Sequence, residues 1–191
     1  MDARGFALLA PLIAAFALAG CGGEDKPQKT ERADPPVHPP KGWRTVRNRR
    51  AGFTIAAPRR WTARTRRGAT LIRSSDRLLA VTLAADRSDQ GKSTAPGSYA
   101  REVLDDLPDF EGSVSTGVRR LRGTPYRTAR VEGSGTVKGT DRPQTITVAV
   151  YHRAGTVTFT AVVFRNPAAE PPADRRVLER MLRTFRAGVP R

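Results

Sequence analysis

The stretch Thr145–Phe164, TITVAVYHRAGTVTFTAVVF, carries the strongest β-strand signal in the 191-residue chain. β-branched and aromatic residues dominate Thr145–His152 and Val157–Phe164, and these residue types favour strands. The segment His152–Gly155, where the first run ends, has the length of a hairpin turn. The sequence therefore predicts an antiparallel hairpin here.

Other segments with alternating or β-rich composition predict the remaining strands. They are Phe53–Pro58, Ala69–Arg73, Leu78–Ala85, Val114–Leu121 and Tyr126–Val137. Short connections between neighbours imply an antiparallel sheet of about six to seven strands. The glycine-rich segment Gly133–Thr140 lacks the spacing of a phosphate-binding loop, and we expect a flexible hairpin loop there.

Two segments have the apolar period of amphipathic helices. The first is Ser98–Leu107, and the second is Asp174–Arg186, where Asp174 is the predicted N-cap. Each helix needs a sheet face to cover its apolar stripe. The predicted fold class is therefore α+β, with an antiparallel sheet covered by two helices.

The N-terminal region has the features of an export signal. An uncharged apolar run from Phe6 to Ala19 has the length of a secretory h-region. It ends in Leu18-Ala19-Gly20-Cys21, which resembles the bacterial lipobox, where the cysteine receives diacylglycerol and becomes the first mature residue. We therefore predict a lipoprotein signal peptide over residues 1–20 and lipidation of Cys21. The alternative is an ordinary secretory signal with an incidental cysteine.

The segment after Cys21 is predicted to be a tether. Residues 21–42 contain several prolines and no hydrophobic period, which is typical of a disordered linker, so that 43–191 form one globular domain. Acyl chains on Cys21 would hold the protein at the extracytoplasmic face of the cell membrane. Cys21 is the only cysteine, which excludes disulfides and thiol catalysis from the mature domain.

The start and end of the predicted domain resemble a known family. The opening Gly52–Pro58, followed by Trp61, is similar to the G-F-x-[apolar]-x-x-P-x-x-W start of PsbP-like domains. The final segment Leu182–Arg186 is also similar, and actinobacterial lipoproteins of the LpqN type share this layout behind a lipobox. The resemblance covers roughly residues 43–186. It implies an α/β/α sandwich and a protein that binds or assembles without catalysing, with no catalytic residue to carry over.

The net charge of +16 lies wholly in residues 43–191, because residues 1–42 hold five basic and five acidic side chains. Between Trp43 and Arg77 there are eleven arginines and one acid, Asp76. The arginines predicted to be exposed, and proposed as contacts to an anionic surface, are Arg49, Arg50, Arg59, Arg60, Arg66 and Arg67.

Two explanations of this charge stay open. One is attraction to anionic lipids or phosphate-bearing wall polymers. The other is a GC-rich coding sequence, which favours Arg over Lys and leaves a soluble surface. Nucleic acid is not an expected partner, because aromatic residues are not interleaved with the arginines.

No pattern of residues in the domain is typical of catalysis. His152 is its only histidine, no G-x-S-x-G motif is present, and we expect His152 on the surface. The domain has too few nitrogen and sulfur ligands for zinc, and no cofactor is indicated. The acids that follow the first helix lack the spacing of a calcium loop and are expected to be solvated or ion-paired. These are Asp105, Asp106, Asp109 and Glu111.

The sequence therefore predicts a non-enzymatic binding or accessory protein of the cell envelope. Its partner is either an envelope protein or an anionic lipid or wall polymer. The alternative is a hydrolase or transferase acting on wall glycans, with carboxylates such as Asp105 or Glu132 as its catalytic groups.

Overall fold

The computed structural model describes residues 38–66, 68–108, 110–114, 117–137, 143–153, 156–166 and 172–188. These residues form ten strands and three helices, which confirms the α+β class. In chain order they are β1 (Trp43–Asn48), β2 (Phe53–Pro58), β3 (Thr62–Arg66), β4 (Ala69–Arg73), β5 (Leu79–Asp86), α1 (Asp89–Ser93), α2 (Pro96–Asp105), β6 (Phe110–Val114), β7 (Arg127–Val137), β8 (Pro143–Arg153), β9 (Val157–Arg165), α3 (Pro172–Arg183) and β10 (Arg186–Ala187).

The predicted hairpin, now β8 and β9, lies near the centre of the larger sheet. Seven strands follow the order β3-β4-β5-β9-β8-β7-β6, and all neighbours are antiparallel. Because β8 and β9 have neighbours on both sides and layers on both faces, most of their residues are buried. This explains why their sequences contain nearly continuous apolar runs.

A second, three-stranded sheet contains Phe53–Pro58, the first of the predicted strands in chain order. β2 has the predicted bounds, but it pairs with β1 and β10 and not with the larger sheet. Every residue of β2 before Pro58 is buried, including Phe53 and Ile55, which are 0% exposed. Trp61, at 8% exposure, packs in the same core.

The larger sheet separates two hydrophobic cores. On one side, which we call the α2 face, α2 packs over β7, β8 and β9 through Tyr99, Val103 and Leu104. On the other side, the α3 face, α3 and the small sheet together cover β5, β8 and β9. Two helical layers were predicted, and the small sheet is an additional element of the α3 face.

Helix α3 is shifted toward the N-terminus relative to the prediction. It begins at Pro172, so Asp174 lies within the helix and is not its N-cap, and it ends at Arg183. Proline is well tolerated in the first turn of a helix because its missing N–H has no partner there. The Thr184 hydroxyl accepts a hydrogen bond from Ala56 N at 2.9 Å, and this bond turns the chain toward β2.

An aromatic cluster ties the end of α3 to both sheets. Phe185, which is fully buried, stacks on Tyr151 of β8 with ring centroids 4.2 Å apart. It also contacts Phe53 of β2 at 5.7 Å and Phe159 of β9 at 5.1 Å. Phe185, the last residue of the predicted apolar stripe, therefore lies in the core.

The prediction of a hairpin loop at Gly133–Thr140 is wrong for the first five residues of this segment. Gly133–Val137 belong to β7 and pair with both β6 and β8, and residues 138–140 lie outside the described residues. Gly112 and Gly135 are directly opposite each other. A Cβ on Gly135 would lie only 2.5 Å from Gly112 Cα, so glycine permits a close approach of two strands here.

The predicted strand Val114–Leu121 is also wrong in its extent. The edge strand β6 ends at Val114, and Arg119 forms only an isolated bridge with Arg130 of β7. Farther along, Leu121 N donates to the Thr128 hydroxyl at 2.9 Å. A side-chain hydrogen bond therefore replaces the strand ladder at this point.

Candidate functional site

Asn48 fixes the turn that joins β1 to β2. Its side chain is 1% exposed, and its Oδ1 accepts a hydrogen bond from Ala51 N at 2.9 Å. Its Nδ2 donates to Gly68 O at 2.8 Å and to the Thr70 hydroxyl at 2.9 Å. The turn of the first hairpin is therefore held against the turn between β3 and β4.

Exposed arginines surround these two turns. Arg49 and Arg50 lie in the β1–β2 turn, and Arg66 is the last residue of β3. Arg87, which follows β5, donates from Nη2 to Ala51 O at 2.9 Å. All four arginines are exposed, and we call Arg49, Arg50, Arg66 and Arg87 the distal cluster.

A second group of arginines lies at the opposite end of β2, where the chain enters the domain. Arg59 N donates to Gly42 O at 3.0 Å, just before β1 begins. Ser75 Oγ donates to Arg60 O at 3.3 Å, which brings the β4–β5 turn and its exposed Arg77 to this end. We call Arg59, Arg60 and Arg77 the proximal cluster.

The predicted arginines thus fall into two groups. Arg49, Arg50 and Arg66 lie at one end of the hairpin, Arg59 and Arg60 lie at the other, and all five are exposed. A six-residue strand between them corresponds to about 17 Å. This separation exceeds the Debye length of ~8 Å at physiological ionic strength, so salt screens each cluster from the other.

The arginines of both clusters form no ion pair with any described residue. The acids closest to them in the sequence have other partners. Asp76 accepts hydrogen bonds from Ser74 Oγ at 2.5 Å and Leu78 N at 3.0 Å. Asp86 accepts from the Tyr99 hydroxyl at 2.6 Å. The clusters therefore present positive charge to solvent.

The sequence reasoning missed a second polar group, which lies between β7 and α3. The Arg130 side chain is 9% exposed; it forms an ion pair with Glu132, and its Nη1 lies 3.6 Å from Glu179 Oε1 on α3. Arg165 Nη2 lies 3.9 Å from the same Glu132 oxygen, and the Thr147 hydroxyl donates to it at 3.4 Å. Glu132 therefore links three adjacent strands.

The environment of Glu132 is that of an ionised carboxylate. Burial raises its pKa, but the charges of Arg130, Arg165 and Arg175 outweigh that effect and hold the pKa below its ordinary value. A general acid needs a raised pKa, so this arrangement suits charge neutralisation of buried guanidinium groups. The signal in the sequence is Arg130 and Glu132 at spacing i, i+2, which places both on one strand face.

The two carboxylates named for the hydrolase alternative do not come together. Asp105 is exposed at the end of α2, on the α2 face. Glu132 pairs with groups on the α3 face. The sheet separates them, so they do not flank a common site as the two carboxylates of a glycosidase do. Asp106 and Glu111 are exposed as expected, and Asp109 lies outside the described residues.

His152 was expected on the surface, and the structure contradicts this. It is 6% exposed, because α1 covers the strand end where it lies. Its Nδ1 is 2.8 Å from the Thr158 hydroxyl, which itself donates to Gly91 O in α1. Since that hydroxyl has one proton, His152 must donate from Nδ1. Burial and the nearby Arg127 lower the pKa of His152.

The part of the chain that the structure describes contains neither a metal-binding cluster nor a membrane-spanning helix. No three His, Cys, Asp or Glu side chains there are arranged to hold a metal ion. The same residues contain no helix with the length and apolar character needed to cross a bilayer. Leu18, Ala19, Gly20, Cys21 and Arg67 lie outside the described residues, so their predicted roles stay predictions.

The fold defines the chain as an α+β protein with a seven-stranded antiparallel sheet. No family model and no curated protein matches it. One similar solved structure, from Bacteroides thetaiotaomicron, has 14% identity and a TM-score of 0.46. The match covers 72% of this chain but only 45% of that one, so the chain spans less than half of its length.

A second solved structure similar to the chain is LpqN, a protein involved in cell envelope biogenesis of Mycobacterium tuberculosis. It has 16% identity and a TM-score of 0.48, and the match covers 76% of this chain and 90% of LpqN. At this level of similarity, neither structure identifies a family for the chain.

Proposed function

We propose that this chain is a lipid-anchored, non-enzymatic protein of the cell envelope that binds an anionic envelope component through its exposed arginines. The observation that carries the proposal is the set of exposed arginines at both ends of the β1–β2 hairpin, none of which has an ion-pair partner among the described residues. The lipobox-like Leu18–Cys21 supports the location.

The chemistry of the side chains favours an anionic ligand. A guanidinium group offers paired N–H donors that match the oxygens of phosphate or carboxylate. Near an anionic membrane each basic residue contributes up to about 1 kcal/mol. A lipid anchor would also hold the domain close to that surface, which raises the effective concentration of the ligand.

The proposal is tested with a chain that starts at residue 21 and carries Cys21→Ser, so that no acyl chain is present. Every described element lies between Trp43 and Ala187, so this chain keeps the whole fold. Binding is measured by co-sedimentation with vesicles of phosphatidylglycerol and phosphatidylcholine at several salt concentrations.

The informative variant replaces four arginines of the two clusters by glutamine, and a matched variant removes equal charge elsewhere. The first changes Arg49, Arg50, Arg59 and Arg60, and the control changes Arg101, Arg120, Arg176 and Arg183, which are also exposed. We expect the first variant to lose affinity for the anionic vesicles about 10-fold or more, and the control to lose much less. Equal loss in both would mean that overall charge, and not this surface, determines binding.

A further inference from the structure

The two arginine clusters differ in their position relative to the start of the domain. Trp43 N donates to Pro40 O at 2.9 Å and Arg59 N to Gly42 O at 3.0 Å, so the chain enters beside the proximal cluster. The distal cluster lies at the other end of β2. A lipid anchor on Cys21 would therefore attach the domain to the membrane at its proximal end.

The distal cluster is built on a rigid backbone. Besides the three hydrogen bonds of Asn48, Gly52 N donates to Asn48 O at 2.9 Å and Gly188 N donates to Gly52 O at 2.7 Å. Gly52 adopts φ = 78°, a conformation that favours glycine. These hydrogen bonds hold the two hairpin turns and the segment after β5 against one another. A site that is already ordered loses little conformational entropy when it binds a ligand.

The charge in this region comes from arginine alone, since residues 42–91 contain no lysine. Arginine binds phosphate oxygens in a bidentate manner, whereas lysine acts as a point charge. Four arginines presented by adjacent turns match a ligand that offers several phosphate groups in succession. A single phosphate could engage only part of the cluster.

We propose that the distal cluster is a separate docking site for a soluble phosphate-bearing polymer, while the proximal cluster contacts the headgroups of the anchoring membrane. This inference rests on the proposed function and divides its surface into two sites. Because the two ends are about 17 Å apart and screened from each other, membrane contact at one end leaves the other end free.

Two matched variants of the chain from residue 21 with Cys21→Ser test the division, since each removes two exposed charges. The distal variant carries Arg49→Gln and Arg50→Gln, and the proximal variant carries Arg59→Gln and Arg60→Gln. The probes are sodium polyphosphate and phosphatidylglycerol-containing vesicles, and circular dichroism checks that both variants keep the fold.

We expect the distal variant to bind polyphosphate about 10-fold more weakly while keeping its vesicle affinity, and the proximal variant to show the reverse. The unsubstituted chain, already bound to vesicles, should still capture polyphosphate. Equal loss of both probes in both variants, or displacement from vesicles by polyphosphate, would mean that one continuous surface binds both probes. That result overturns the division but leaves the proposed function standing. If the unsubstituted chain binds neither probe, both proposals fail.

Discussion

Protonation of His152 is less favourable in the folded protein than in the unfolded chain, because burial and Arg127 lower its pKa from the ordinary value of 6.5. In the unfolded chain this histidine takes up a proton at the higher pH. Lowering the pH through 6.5 therefore favours the unfolded state. We expect the free energy of unfolding to fall between pH 7 and pH 5, and His152→Asn to reduce that fall, as measured by urea denaturation at several pH values.

The matched control is His38→Asn, since His38 is the other histidine and is exposed. This variant should keep the pH dependence of the parent chain. Glu132 and Asp86 do not confound the result, because their pKa values are lowered from 4.5 and 3.8. The stability that these two carboxylates contribute is lost only at more acidic pH, when the pH falls through their folded-state pKa values. An unchanged pH profile in His152→Asn would contradict the assignment.

Single residues were predicted well where hydrophobicity decided their position. Phe53, Ile55 and Phe185 are core residues in the structure, as their apolar patterns indicated. His152 was misplaced because its burial depends on α1, and the sequence gives no sign that this five-residue helix covers the strand end. The role of Asn48 was also missed, because its partners Gly68 and Thr70 lie about twenty residues away.

At the level of the element, the pairing of β6 with β7 depends on glycine. A Cβ on Gly135 would overlap Glu111 O and Gly112 Cα, which belong to the backbone and cannot rotate away. We therefore expect Gly135→Ala to destabilise the protein by about 1–3 kcal/mol. Amide hydrogen exchange should accelerate first in β6.

Gly117→Ala is the matched control, because a Cβ at Gly117 would meet nothing within 4 Å. Its free energy of unfolding should change by less than about 0.5 kcal/mol. If Gly135→Ala is as stable as this control, then β6 does not approach β7 as closely as the structure indicates.

The strands that were predicted from the sequence are those whose residues alternate or are mainly apolar. β2 and β4 have the predicted bounds, and β5, β8 and β9 differ from the prediction by one or two residues. By contrast, β1 and β3 were not predicted, because exposed arginines interrupt their apolar alternation. Helix α2 begins two residues earlier than expected because Pro96 is accommodated in its first turn.

For the whole molecule, the proposed location depends on Cys21. We expect Cys21→Ala to abolish acylation, because the thiol that accepts the lipid is gone, and to leave an uncleaved precursor or release the protein into the medium. Mass spectrometry of the N-terminal peptide, combined with membrane fractionation, measures both effects. Gly22→Ala keeps the thiol and should stay acylated. A Cys21→Ala protein that is cleaved and still membrane-bound would contradict the anchor.

The arrangement of sheets and sites could be predicted only in part. Periodicity shows that β2 is a buried strand, but it does not show that β2 leaves the larger sheet and pairs with β10. In the same way, composition shows an excess of arginine but not its division between two ends. That division follows from long-range hydrogen bonds such as Asn48 to Gly68 and Arg87 to Ala51.

The contacts of β2 with the end of the chain that follows α3 determine when the core of the α3 face can form. Ala56 N donates to Thr184 Oγ1 across 128 residues, and β2 finds its second neighbour only at Arg186–Ala187. During synthesis or passage through a pore from the N-terminus, the core around β2 therefore stays incomplete until Arg186–Ala187 have emerged. Because this core forms late, the polypeptide stays unfolded enough to pass through a pore. A chain exported in this way would complete its core only after it has crossed the membrane.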